Sequence, residues 1–377
     1  CKGNFPMLTN RPSLTKQRST RDENTNLGRN ISSKTTASSR SGLADITNNA
    51  PRVSLGLKDG SSTYRAGSYA ARSSANSGSI TSRIAVPTTS RRSEVEAPAP
   101  KPVSVLPSNI RDIDLAESSN QFFVPQYADE VMQYMRKKEK RDQLQTNFMD
   151  IQRTVKEDLR AVLVDWFVGV ALKFKLKSDT LYLAVSLLDR YLATSSISRS
   201  NLQITGICCL VLAAKYEEIY PPELQDFVYI SDRACTKQQI IEMERSVIAT
   251  LNFDLSTVTS RPFIRRFSKA ANFDGKRELL ATYFTELAML DSTFARFLPS
   301  ELAAAGVLLT QTMLGGSAWD ATVSHYTQYK PEHLHACANA LLSVAREAPE
   351  SKHKQIYRKY AHAKYYEVAT IPLPRDF

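Results

Sequence analysis

Leu159-Arg160-Ala161-Val162-Leu163-Val164-Asp165-Trp166-Phe167-Val168 is apolar around nearly its whole circumference when wound at 3.6 residues per turn. A surface helix keeps a polar face, so this stretch reads as a helix packed on all sides. A chain that buries a helix in this way must supply others to cover it, and the flanking sequence does so in both directions. Upstream, Tyr127, Val131 and Tyr134 (with Met135) recur at i, i+4 and i+7 on a helix that opens at Val124-Pro125-Gln126-Tyr127. It closes on Arg136-Lys137-Lys138, whose charge suits the negative end of a helix dipole. Downstream, helical periodicity runs over 178–194, 200–217, 222–230 and 236–251, with Asp179 and Ser200 placed to cap two of the starts. Asn252-Phe253-Asp254-Leu255 breaks the pattern. A second set follows at 259–271, 276–291, 299–314, 317–328, 331–347 and 351–366, with Pro262, Pro299 and Pro331 near helix starts, where proline is tolerated. Alternating strand patterns are missing, and only six of the 13 glycines lie beyond residue 120, too few for many hairpins. The reading is all-α, with two helical domains in tandem over 121–255 and 256–377, the first preceded by an N-terminal helix.

Residues 1–120 are of another kind. They carry 17 Lys and Arg against 9 Asp and Glu, most of the net charge of +11 borne by the 377 residues. They hold 33 Ser and Thr but only three aromatics, Phe5, Tyr64 and Tyr69. Such a segment buries too little apolar surface to offset its chain entropy, so a disordered basic tail is expected. Ala97-Pro98-Ala99-Pro100-Lys101-Pro102 reads as a stiff linker. No apolar run of about 18 residues is present to form a transmembrane helix. The opening Cys1-Lys2-Gly3-Asn4 leads into no apolar run of the secretory kind, and its lack of Met fits a fragment or a processed form. The five cysteines, Cys1, Cys208, Cys209, Cys235 and Cys337, are odd in number and scattered, which argues for a reducing compartment over a disulfide framework.

Signatures of chemistry are absent from the sequence. Neither G-x-x-x-x-G-K-[ST] nor G-x-G-x-x-G occurs, so no phosphate-cradling loop is expected. His333, His335 and Cys337 lie close together, but i and i+2 on a helix point to different sides and cannot form one zinc-ligand face. Cys208-Cys209 sits in an apolar helix, where cysteine acts as a small hydrophobe. Glu217-Glu218 are adjacent carboxylates whose side chains diverge, with no histidine beside them. These observations imply no catalytic residue, no metal and no cofactor: a helical binding protein, not an enzyme.

Four ordered motifs then carry a resemblance. Leu159 to Trp166 resembles the opening helix of a cyclin box, and Leu181-Tyr182-Leu183-Ala184-Val185-Ser186-Leu187-Leu188-Asp189-Arg190-Tyr191-Leu192 resembles its second helix. Leu202-Gln203 through Ala213-Ala214-Lys215-Tyr216-Glu217-Glu218-Ile219-Tyr220-Pro221-Pro222-Glu223 resembles the third helix and its turn. Thr236-Lys237-Gln238-Gln239 through Met243-Glu244, with Leu251-Asn252-Phe253-Asp254-Leu255, resembles the remainder. The likeness covers about 122–372 and is closest to the mitotic cyclins. Phe297-Leu298-Pro299-Ser300, Cys337 and Val124-Pro125-Gln126-Tyr127 lean toward the A type. Phe263-Ile264-Arg265-Arg266 and Lys173-Phe174-Lys175-Leu176 lean toward the B type, and the balance favours A slightly.

The resemblance implies two tandem five-helix cyclin boxes. It also implies a regulatory subunit that binds a cyclin-dependent protein kinase in the nucleus and cytoplasm and drives S, G2 and M progression. Lys215 and Glu244 match the family pair that contacts the kinase. Leu212, Tyr216, Ile219, Ile248, Phe253 and Leu255 match apolar interface positions, some of which also serve the core. Tyr127, Val131 and Tyr134 match the helix that packs on the kinase. Arg160 and Asp189 match a structural ion pair. Leu159, Val162, Leu163 and Trp166 read as core by periodicity alone. In the family, part of that stripe joins Gln203 in a docking groove for Arg-x-Leu segments of substrates and inhibitors. Gly169 departs from the A-type pattern, where an acid is usual, which leaves Asp232 as the acidic position near the groove. In the tail, Arg40-Ser41-Gly42-Leu43-Ala44-Asp45-Ile46-Thr47-Asn48 resembles a mitotic destruction box read by the anaphase-promoting ubiquitin ligase, with Arg40, Leu43, Asp45, Ile46 and Asn48 carrying the match. Arg11-Leu14 and Arg52-Leu55 fit the bare Arg-x-x-Leu, and Lys16, Lys34 and Lys58 are candidates for ubiquitin attachment. The alternative is a transcription factor or transcriptional cyclin on the same fold, its basic tail binding nucleic acid. The mitotic reading expects neither membrane nor direct nucleic-acid contact.

Overall fold

The computed structural model describes residues 106–115, 120, 123–315 and 319–375, all within one compact unit. The described residues form helices and no strand. In chain order they are α1 Pro125–Arg141, α2 Glu157–Phe174, α3 Ser178–Thr194, α4 Leu202–Glu217, α5 Leu224–Ile230, α6 Lys237–Thr250, α7 Ser260–Ala270, α8 Gly275–Ala288, α9 Pro299–Leu314, α10 Ala321–Thr327, α11 Pro331–Glu347 and α12 Gln355–Tyr360. Helices α2–α6 make one five-helix domain and α7–α11 a second.

Each domain is built around one enclosed helix. In the first it is α4, not the Leu159–Val168 stretch. Every residue from Thr205 to Ala214 is buried, and α2, α3, α5 and α6 pack around it. Helix α2 is buried from Trp166 to Ala171, but Leu159, Ala161, Val162 and Asp165 in its N-terminal half are only half-buried. The close approach of α2 to α4 depends on Gly206, where a Cβ would lie 2.6 Å from a Leu163 methyl. In the second domain the enclosed helix is α9, covered by α7, α8 and α11.

Several local expectations change in three dimensions. Helix α3 follows Lys177, whose N–H is taken by Glu218 Oε1 at 2.7 Å, while Asp179 turns to Arg265 of α7. Helix α4 follows Asn201, and Ser200 bonds Ser198 instead. The helix expected over 351–366 covers only Gln355–Tyr360, because His362 takes an extended backbone (φ −83°, ψ 144°) and a short turn over Ala363–Tyr365 follows. Helix α10 starts at Ala321, where Asp320 Oδ1 accepts the Val323 N–H at 2.8 Å.

The two domains are joined by buried polar contacts. Arg160 forks onto Asp189, with Nε to Oδ1 at 2.6 Å and Nη2 to Oδ2 at 2.7 Å. Its third nitrogen, Nη1, donates to the Met289 carbonyl just past α8 at 3.0 Å. The pair expected within the first box therefore also grips the second domain. Within the second domain, Glu286, wholly buried in α8, receives Lys359 on both oxygens at 2.7 Å and the Tyr360 hydroxyl at 2.9 Å. Tyr182 of α3 meets Thr285 of α8 at 2.6 Å.

Helix α1 and the chain before it pack on the second domain. Buried Ile113 joins Ala270 and Tyr326 in a small cluster, and Asp114 receives both arms of Arg266 at 2.9 and 2.8 Å. The chain assigned to the tail up to residue 120 is thus packed at 110–114. The destruction-box match and Lys16, Lys34 and Lys58 lie outside the described residues.

Candidate functional site

The first site surrounds the end of α4. Lys215 lies in the last turn, where the helix dipole favours a cation. Across from it stands Glu244 of α6, and Lys215 Nζ meets Glu244 Oε1 at 2.5 Å. The register of α6 is set by a reciprocal cap: Thr236 Oγ1 accepts the Gln239 N–H at 3.2 Å and Gln239 Oε1 accepts the Thr236 N–H at 2.8 Å. Lys215 is about half exposed, so the pair contributes little to stability and keeps hydrogen-bonding capacity for a partner.

Large apolar side chains stand bare around it. Ile219 is 80% and Phe253 79% exposed, and Tyr216 and Tyr220 are also exposed. Asn252 and Phe253 both hold left-handed backbone angles, which turn the Phe253 ring outward. Two consecutive non-glycine residues in that region cost free energy. Such strain, together with wet aromatic surface, fits a surface shaped for contact. Ile248 and Leu255 are half-buried against the core. Leu212 does not belong with them: at 2% exposure it is interior, because it lies on the enclosed stretch of α4. The α1 stripe of Tyr127, Val131 and Tyr134 is exposed throughout. Lys138, near the end of α1, reaches Asp254, the neighbour of Phe253, at 3.7 Å.

The second site lies where α2 crosses α4. Leu163, at 0% exposure, is core, wedged against Gly206. Leu159 and Val162 are half-buried and border the surface, and Trp166 is buried except for its edge. Two donors here have no acceptor: Trp166 Nε1 and Gln203 Nε2. Gln203 lies one turn before Gly206 on α4, and Trp166 one turn after Leu163 on α2. Each unpaired buried N–H costs about 1–3 kcal/mol. Asp232 is exposed with a left-handed φ of 54°. Beside it in sequence is a residue the sequence reading missed: Tyr229, exposed at the end of α5 with Lys173 over its ring at 5.5 Å. An aromatic flanked by Phe227, Val228 and Ile230 gives no sign of pointing outward, so only burial reveals it.

Among the described residues the cysteines are packing groups. Cys208, Cys209 and Cys337 are buried, and burial pushes their thiols up, away from the reactive thiolate. On α11, Cys337 faces the core while His333 and His335 are exposed.

Two family models match in sequence order, the cyclin N-terminal domain over residues 130–256 and the cyclin C-terminal domain over residues 258–374. The chain belongs to the cyclin family. This cyclin is 40% identical over 273 residues to a G2/mitotic-specific cyclin-B of Dictyostelium discoideum, covering 72% of this chain and 62% of that one. It is 39% identical over 249 residues to cyclin-A1-2 of Arabidopsis thaliana, covering 63% and 56%. The matches thus span less than two thirds of these relatives' lengths. Near-equal identity places this cyclin in the mitotic A/B group without dividing A from B. Among solved structures, a viral cyclin from Herpesvirus saimiri has the same fold at a TM-score of 0.52 and 20% identity, covering 60% of this chain and 99% of that one.

Proposed function

We propose that this cyclin is the non-catalytic regulatory subunit of a cyclin-dependent protein kinase acting in S, G2 and M. The observation that carries the reading is the exposed apolar surface of Tyr216, Ile219 and Phe253 around the Lys215–Glu244 pair. A kinase is active only when a mobile helix brings its glutamate to the lysine that holds ATP phosphates. A rigid patch of apolar side chains flanked by a charged pair can hold such a helix in that position. The α1 stripe extends the contact. The test uses the full chain with purified cyclin-dependent kinase: a stable complex and a rise in phosphorylation of a short peptide substrate are expected. A pull-down read by mass spectrometry that returns nucleic acid or polymerase components, and no kinase, would overturn it.

The surface around Leu159, Val162, Trp166 and Gln203 is read as the dock for Arg-x-Leu segments of substrates and inhibitors, supported by its two unpaired donors. Peptide carbonyls take those donors, apolar side chains cover Leu159 and Trp166, and Asp232 attracts the cation. Arg40, Leu43, Asp45, Ile46 and Asn48 are read as the destruction box that brings the anaphase-promoting ubiquitin ligase in mitosis. The protein is expected in nucleus and cytoplasm.

A further inference from the structure

Helix α1 has two faces with opposite characters. Tyr127, Val131 and Tyr134 stand in solvent. Arg136 lies nine residues beyond Tyr127, two and a half turns on, and so on the opposite side. Its guanidinium is enclosed by three rings of the second domain, Phe263, Phe267 and Tyr329, with centroids at 5.7, 5.8 and 5.6 Å. Its Nη2 donates to the carbonyls of Tyr326, at 3.4 Å, and Thr327. These lie at the end of α10, where the helix dipole is negative. One turn on, buried Glu139 does the opposite job. It accepts the Ser300 N–H at 2.9 Å and the Ser300 hydroxyl at 2.7 Å, in the first turn of α9, where the dipole is positive. Met132 and Met135, on the turns before, pack against the same domain.

An arginine and a glutamate one turn apart therefore join two helix ends of opposite polarity. Shifting α1 by a turn, or rolling it, would break both contacts and leave buried Glu139 and half-buried Arg136 without these partners. Resting on the kinase reading above, we propose that Arg136 and Glu139 are positioning residues. They fix the roll and register of α1 so that Tyr127, Val131 and Tyr134 are presented to the kinase, and the second domain thereby contributes to kinase affinity without touching the kinase through these residues.

The test is a mutant cycle in the full chain, read as affinity for purified cyclin-dependent kinase. Affinity for an Arg-x-Leu peptide serves as the control for an intact first domain. The variants are Arg136→Ala, Arg136→Lys, the triple Tyr127→Ala/Val131→Ala/Tyr134→Ala, and the triple combined with Arg136→Ala. If α1 is seated in only one molecule in ten once the clamp is cut, apparent kinase affinity falls about tenfold. Lysine keeps the charge but not the planar fork, so Arg136→Lys should restore only part of the loss. In the triple background Arg136→Ala should change affinity by less than about twofold, because its effect runs only through the stripe. The same tenfold loss in both backgrounds would show a general structural role and overturn the proposal. So would a wild-type affinity for Arg136→Ala. If the triple variant itself binds like wild type, the assignment of the stripe to the kinase fails, and the clamp has nothing to present. Should Arg136→Ala not fold, Glu139→Ala cuts the other end of the clamp and is read in the same cycle.

Discussion

Lys215 and Glu244 allow the proposed partner contact to be separated from stability of the fold. The lysine of the pair is half exposed while Glu244 is largely covered, and an ion pair screened by water on one side contributes about 1 kcal/mol or less to stability. Lys215→Ala/Glu244→Ala should therefore melt within a few degrees of wild type while losing about 2–5 kcal/mol of kinase affinity, the usual cost of truncating interface charges that bond a partner. Wild-type kinase activation by the folded double variant would remove these residues from the interface. The α2 stripe divides in the same way. Leu163→Ala empties a fully buried site against Gly206 and should cost about 2–5 kcal/mol of stability, seen as a lower urea midpoint. Leu159→Ala/Trp166→Ala should chiefly weaken Arg-x-Leu peptides, as measured by isothermal titration, and leave phosphorylation of short peptides lacking the motif unchanged. Equal loss of both activities, together with helical signal, would make those two residues core. Periodicity at i, i+3, i+4 and i+7 put all four residues on one stripe. It had no means of separating Leu163 from Leu159, because that depends on where α4 lies.

At the scale of an element, α1 gives the pH prediction. Burial holds the Glu139 carboxyl above its ordinary value of 4.5, against the opposing bonds from Ser300 and the charges of Arg136 and Lys140. An acid raised in the folded state contributes stability that is full below the unfolded value and is lost as pH rises through the folded one. Glu139→Gln has no proton to lose and keeps an amide oxygen for Ser300. Its melting temperature should gain on wild type as pH rises from about 4.5 toward 7. A difference that shrinks over that range would mean the ionised carboxylate is the favoured form and the two Ser300 bonds outweigh burial. In the sequence, α1 was legible as a helix with an apolar stripe and a basic end, but its attachment was not. Arg136 read as part of a basic terminus, whereas it is the centre of a cluster of rings.

For the whole molecule, degradation and folding should be separable. Arg40 and Leu43 are the charged and apolar anchors of the destruction-box match, and anchors of this kind dominate short-peptide affinity. Arg40→Ala/Leu43→Ala should persist in mitotic extract while still binding its kinase, followed by immunoblot over time. Loss at the wild-type rate, with a 1–100 deletion stable, would move the signal to Arg11-Leu14 or Arg52-Leu55. Taken alone, the sequence determined the all-α class, the position of most helices, the break at Asn252–Leu255 and the family, because each is written in local spacing or in motifs of a dozen residues. Only the tertiary structure decided that α4 and not α2 is enclosed, that Leu212 and Leu163 are interior, that Tyr229 is bare, and that Arg160 also holds Met289. It also decided that α1 sits on the second domain. The reason is distance along the chain: Arg136 finds its partners, from Phe263 to Tyr329, 127 to 193 residues away, and Arg160 finds one 129 away. A periodic pattern records which face of a helix is apolar, but which neighbour covers that face is settled only when remote segments pack together.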